Sequence, residues 1–226
     1  TAAVSVSLAF LAVIAAIAGW WLARQRLWAK PWLEEGPVGE VAGTGAVPLP
    51  AAKLGLGVLL AVVGSLFALF TSAYVMRMHM AADWRPLPEP RLLWLNTGLL
   101  VVSSVALQRA YMAACRDERD GVKAGLLAGG VAALAFLVGQ LLAWRQLAAA
   151  GYFLAANPAS AFFYLLTAVH GLHLLGGLVA LGRAAARMRD DGLAMERMRL
   201  SVELCALYWH FLLVVWLFLF GLLLLA

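Results

Sequence analysis

Six stretches of this chain, residues 2–23, 53–76, 91–113, 122–144, 158–183 and 201–225, are long, nearly unbroken apolar runs. About 20 such residues carry an α-helix across the ~30 Å of hydrocarbon in a bilayer. In that medium every backbone polar group must find its partner within the protein, so only helices and closed barrels span it. Barrel strands are about ten residues long and alternate in polarity; none of the six does. The pattern predicts an all-α integral membrane protein, a bundle of six transmembrane helices. The charge content agrees: 13% of residues are charged, against roughly a quarter in soluble domains.

The breaks between the runs are chemically marked. Pro31, Pro37, Pro48 and Pro50, interspersed with glycines, make residues 31–52 an irregular loop. Pro86, Pro88 and Pro90 forbid a continuous helix through "DWRPLPEPR" (83–91). "CRDERDG" (115–121) reads as a short charged turn and "RMRDDGLAMERMR" (187–199) as a polar connection. In "NPAS" (157–160), Asn157 is placed to cap a helix whose first residue is Pro158. These breaks divide the chain into an N-terminal helix within 1–30, the loop 31–52, and a five-helix bundle over 53–226. The first run is followed, not preceded, by its cations in "GWWLARQRLWAK". That order is the reverse of a secretory signal peptide, so the segment is read as a retained helix.

Six crossings place Arg77, Arg85, Arg91 and Arg145 on one side of the membrane and the other thirteen of the 17 lysines and arginines on the opposite side. The positive-inside rule makes the richer side cytoplasmic and sends both termini outward. The basic residues are not interleaved with aromatics in a nucleic-acid pattern, so no nucleic-acid partner is expected.

Few residues inside the runs carry chemistry. His170 and His173, three apart, share a helical face. His210 lies deep in the last run, and Glu203, seven residues before it, falls on the same stripe near the cytoplasmic end; Trp209 and Trp216 are also seven apart. A metal site needs ligands from separate helices, and the neighbouring runs offer few. These six residues are therefore expected to make polar contacts in the bundle core or with lipid headgroups, with no metal and no catalytic residue in the chain. Cys115 and Cys205 show no CxxC or zinc spacing and read as small buried hydrophobes. The glycines of "AGLLAGG" (124–130) and "GLHLLGGLVALG" (171–182) suit close helix–helix approach. No catalytic triad or HExxH arrangement is present.

Three motifs in order carry a resemblance. "ELCALYWHFLLVVWLFLF" (203–220) resembles the last helix of subunit III of the haem–copper oxidases. "LLTAVHGLHLLGGLVAL" (165–181) resembles the helix before it, and "LNTGLLVVSSVALQRA" (95–110), preceded by the proline-rich "WRPLPEP", an earlier one. The match runs from about residue 53 to 226, leaving the first helix extra to a five-helix core. The resemblance implies an accessory subunit of a cytochrome c or quinol oxidase in the bacterial cytoplasmic membrane. It would have no redox cofactor of its own. It would pack on subunit I, alongside subunit II and other respiratory subunits that hold the haem and copper, bind phospholipid, and support stable O2 reduction and proton pumping. The chain departs from the family pattern where a carboxylate is usual: within 61–74, at Ala143 and at Leu213. Two other readings are a similar protein associated with nitric oxide reductase, and an independent membrane enzyme or transporter using His170, His173 and His210.

Overall fold

The computed structural model describes residues 51–80, 84, 91–154, 157–187 and 195–224, together with Ala12, Ala16 and Trp20. Those last three are helical, but the predicted N-terminal helix as a whole, and the loop 31–52 apart from its last two residues, lie outside the described residues. Five helices follow: α1 (Ala51–Met80), α2 (Leu92–Cys115), α3 (Arg119–Ala149), α4 (Pro158–Arg187) and α5 (Met195–Leu224). Each is long and apolar enough to cross a membrane, making this a multi-pass membrane protein. Every one of the last five predicted runs is met by one of them. Several exceed their run by a turn or more: α1, α4 and α5 have 30 residues each, about 45 Å of helix. Their ends therefore project beyond ~30 Å of hydrocarbon.

The chain divides into two compact units, Thr1–Ala68 and Leu69–Ala226. In the first, the described residues after Trp20 are the opening turns of α1. The second holds the end of α1 and a closed ring of four helices, in which α2 packs on α3 and α5, and α4 also packs on α3 and α5. Within this unit α1 is fastened by Tyr74, whose ring meets Trp84 edge-on at 5.1 Å and Phe162 of α4 at 5.6 Å.

The ring's tightest seam is α2 against α3. On α2 the buried residues Leu93, Asn96, Leu100, Ser103, Leu107, Ala110 and Ala114 recur at alternating steps of three and four, one face of a helix. Opposite them α3 presents Gly121, Gly125 and Gly129. A Cβ on Gly125 would lie 2.7 Å from Ala110 Cβ and 2.9 Å from both Ala106 O and Ala110 N. One on Gly129 would lie 2.8 Å from Leu107 Cγ. No side chain fits there, so the backbones approach closely. The apolar solvent contributes nothing to helix association, and dispersion contacts of this kind take its place. Ser103 adds a hydrogen bond across the seam, its Oγ donating to Gly129 O at 2.7 Å. The second predicted glycine stretch behaves differently. Gly177 faces the indole of Trp209, 2.8 Å from a built Cβ, but Gly176 and Gly182 look onto open space.

The helix ends follow their local sequence. Asp117 takes a left-handed φ of 58° after α2, with Glu118 N–H donating to Ala113 O at 3.0 Å and Asp117 N–H to Ala114 O at 3.5 Å. This paired pattern satisfies carbonyls that the helix end leaves orphaned. Gly151 repeats it after α3, with φ 89° and Tyr152 N–H donating to Leu147 O at 2.9 Å. Asn157 caps α4 as its sequence predicts. Its Oδ1 accepts from Ser160 N–H at 3.0 Å, Ser160 Oγ accepts from Asn157 N–H at 3.3 Å, and Pro158 opens the helix.

One expectation is corrected. Cys205 is buried, but Cys115 is exposed. It is the last residue of α2 and stands off the packed face that its buried neighbours Ala113 and Ala114 share, so an apolar-looking flank did not mean burial.

Candidate functional site

A residue from each helix of the ring meets at its centre. Trp216 of α5 is fully buried. Its ring lies 4.9 Å from Phe136 of α3, edge-on, and 5.2 Å from the imidazole of His170 of α4. Its indole N–H donates to Thr97 Oγ1 of α2 at 2.9 Å, and that hydroxyl donates onward to Leu93 O at 2.8 Å. The Thr97 oxygen thus accepts once and donates once, and the indole dipole has a partner where no water is available. Phe136 also meets His170 edge-on at 5.8 Å. His170 is fully buried. Its role here is that of an aromatic wedge in the core.

One turn and a half along α5, His210 is held by α2. Its Nε2 lies 2.9 Å from Gln108 Oε1, and its Nδ1 makes a short hydrogen bond with Ser104 Oγ. An amide oxygen only accepts, so Nε2 carries the proton and Nδ1 accepts from the serine hydroxyl. Ser104 and Gln108 are four apart and share a face of α2. Both ring nitrogens of His210 are therefore engaged by side chains of one neighbouring helix.

His173 is bound to its own helix and to α5. It is half-buried, and its Nδ1 lies 2.7 Å from Val169 O of its own helix, while its carbonyl accepts from Tyr208 of α5 at 3.0 Å. Trp209 is fully buried, and its indole N–H finds no acceptor among the described residues. Its contribution is its contact with Gly177. Glu203 is half-buried in the third turn of α5, near a cluster of Tyr111 and Cys115 from α2 with Arg199. That end of the helix pair carries charge.

Sequence reasoning missed the partners. Thr97, Ser104 and Gln108 all lie in the "LNTGLLVVSSVALQRA" segment, and their spacing of seven and four places them on one stripe. That spacing was the available signal. Also unanticipated was the buried amide pair Asn96 and Gln140, with Asn96 Nδ2 donating to Gln140 Oε1 at 3.3 Å. Asn96 sits against Gly139, where a Cβ would fall 2.0 Å from its Oδ1. At the far end of α3, Trp144 Nε1 donates to Thr167 Oγ1 at 3.0 Å, and Tyr164 OH donates to Tyr152 O at 2.9 Å. Two tryptophan–threonine bonds thus tie the ring together, each threonine also bonded to the carbonyl four residues before it.

The arrangement binds helices to each other. Among the described residues no three of His, Cys, Asp and Glu come close enough to hold a metal ion. The Trp216–Thr97 bond should be measurable as coupling. Trp216→Phe and Thr97→Val are expected to be non-additive by about 0.5–1.5 kcal/mol in a double-mutant cycle of unfolding in detergent. Strictly additive effects would mean the bond contributes nothing.

Comparison with known proteins agrees with this frame. Residues 7–225 match the family described as cytochrome c oxidase subunit III. The chain is similar to "Cytochrome c oxidase subunit 3" of Thermostichus vulcanus, 30% identical over 173 residues, covering 75% of this chain and 85% of the relative. It is 31% identical over 156 residues to the protein of the same name in Synechocystis, covering 67% of this chain and 65% of that one. A "Probable cytochrome c oxidase subunit 3" of Mycobacterium tuberculosis is 30% identical over 158 residues, covering 69% and 76%. With a match that spans nearly the whole sequence and a bundle held together by its own polar residues, the chain belongs to the subunit III family of the haem–copper oxidases.

Proposed function

We propose that this chain is the non-catalytic subunit that packs against the catalytic subunit I of a respiratory terminal oxidase, beside subunit II. In this role it holds phospholipid against its bundle and preserves the complex during O2 reduction and proton pumping. The haem and copper belong to its partners. The observation that carries the reading is the engagement of His210. Both of its ring nitrogens are taken up by Gln108 and Ser104, so the imidazole deepest in the last helix is committed to structure. His170, His173, Glu203, Trp209 and Trp216 belong to the same reading as bundle-core and lipid-adjacent groups.

A chain of this kind should leave the chemistry intact when removed. Oxidase purified without it is expected to show a near-normal initial rate per haem and a faster loss of activity during turnover. Immediate loss of most activity with full haem content would contradict the proposal. The membrane is proposed to be the bacterial cytoplasmic membrane with both termini outside, on the thirteen-to-four distribution of Lys and Arg. Reporter fusions at Ala226 should be active only on the periplasmic side; activity confined to the cytoplasm would refute that orientation.

A further inference from the structure

The last five residues of α1 read "MRMHM" (76–80). Three of the chain's 7 methionines and one of its 4 histidines fall in this one stretch. At 3.6 residues per turn, Met76, His79 and Met80 lie at steps of three and four, within an arc of about 100°. All three are exposed, Met76 at 61% and Met80 at 77%, so the packing of the bundle does not account for them. Met78, on the other side of the helix, is half-buried. Side chains on a helix lean back over the residues three and four before them, which brings His79 and Met80 toward Met76. The turn stands on a fixed base, because Tyr74, two residues earlier, is buried edge-on against Trp84 and Phe162. Arg77 and His79 in the last turn put it at the water-facing end of the span. Two thioethers and an imidazole are soft, uncharged donors. That set suits Cu(I), whereas Zn(II) sites are built from thiolates, several imidazoles and carboxylates. The carbonyls that end α1 favour a cation, and Arg77 beside the patch opposes a divalent ion more than a univalent one.

We infer that Met76, His79 and Met80 form a three-donor binding site for Cu(I) at the C-terminal turn of α1. Its ligands are exposed and come from one helix, so the ion exchanges freely and is not a resident cofactor. The inference goes beyond the proposed function, which asks for no metal in this chain.

The test uses the full chain in nanodiscs, with Cys115→Ser in every sample, because that exposed thiol would itself take Cu(I). Cu(I) is supplied without oxygen as its acetonitrile complex and competed against a chromophoric Cu(I) chelator. One Cu(I) per chain is expected to bind. Met76→Leu and Met80→Leu, which keep the side-chain volume, and His79→Ala should each weaken retention by about tenfold, the loss of one donor in three. Met78→Leu, off the patch, and Met112→Leu, on α2, should leave retention unchanged. Equimolar Zn(II) should not displace the copper. Helix content by circular dichroism, measured on each variant, separates loss of a ligand from loss of the fold. Absence of bound copper, retention unchanged when Met76→Leu and Met80→Leu are combined, an equal loss with Met78→Leu, or displacement by Zn(II) would each overturn the inference.

Discussion

Replacing His210 by leucine is expected to weaken the bundle without touching electron transfer. The substitution removes the acceptor of Ser104 and the donor to Gln108, both side chains of α2. A buried polar group left without a partner costs about 1–3 kcal/mol, and interhelical hydrogen bonds in membranes average about 0.6 kcal/mol. Ser104 can turn to the carbonyl four residues before it on its own helix, so the larger share of the loss comes from Gln108. The expected destabilisation is about 2 kcal/mol, seen as a lower midpoint of thermal unfolding in detergent. The assembled complex should keep its initial rate per haem and lose activity faster. His210→Gln, which can still reach one of the two partners, should recover part of the loss. Near-total loss of activity in a fully assembled, haem-loaded complex of His210→Leu would place this imidazole in the chemistry.

A larger effect is expected at Gly125. A Cβ there meets backbone atoms of Ala106 and Ala110 as well as the Ala110 side chain, and backbone cannot turn aside as a flexible side chain can. Gly125→Val should therefore separate α2 from α3, at a cost of about 3 kcal/mol or more, and the chain should accumulate poorly. Gly176→Ala supplies the contrast. It adds a methyl to open space and replaces the second-poorest helix former by the best, so it should be neutral or stabilising by up to about 1 kcal/mol. Thermal unfolding of both variants of the isolated chain in one detergent decides the matter. Equal effects would mean that the α2–α3 seam is not held by close backbone approach.

That contrast also marks where the sequence was readable. The five described helices were legible because a bilayer sets a length and a polarity that few other environments require. Their ends were legible at Asn157 and Pro158, because capping chemistry is local. Which glycines pack was not legible. Gly125 and Gly176 sit in similar apolar surroundings, and in lipid both the inward and the outward face of a helix are apolar. The periodicity that separates core from surface in a soluble helix is therefore muted. For the same reason Cys115 passed for a buried residue. The polar residues stood out individually, since a histidine or glutamate in a membrane run is conspicuous. Their partners did not, because Ser104 with His210, and Thr97 with Trp216, are separated by 106 and 119 residues of sequence and meet only once four helices have closed into a ring. His170 and His173 looked like a pair because they are neighbours on one helix, but only one of them is fully buried in the core.

The central claim is that this chain is the accessory subunit of an oxidase. Its most direct test is to tag the full chain, extract the membrane in mild detergent, and identify what is recovered with it. The account predicts a haem- and copper-bearing oxidase subunit I, recovered in equal amount with the chain and with subunit II, the metals remaining with those partners when the chain is stripped away. Recovery of the chain alone with its own tightly bound metal, or with a nitric oxide reductase in place of an oxidase, would contradict it.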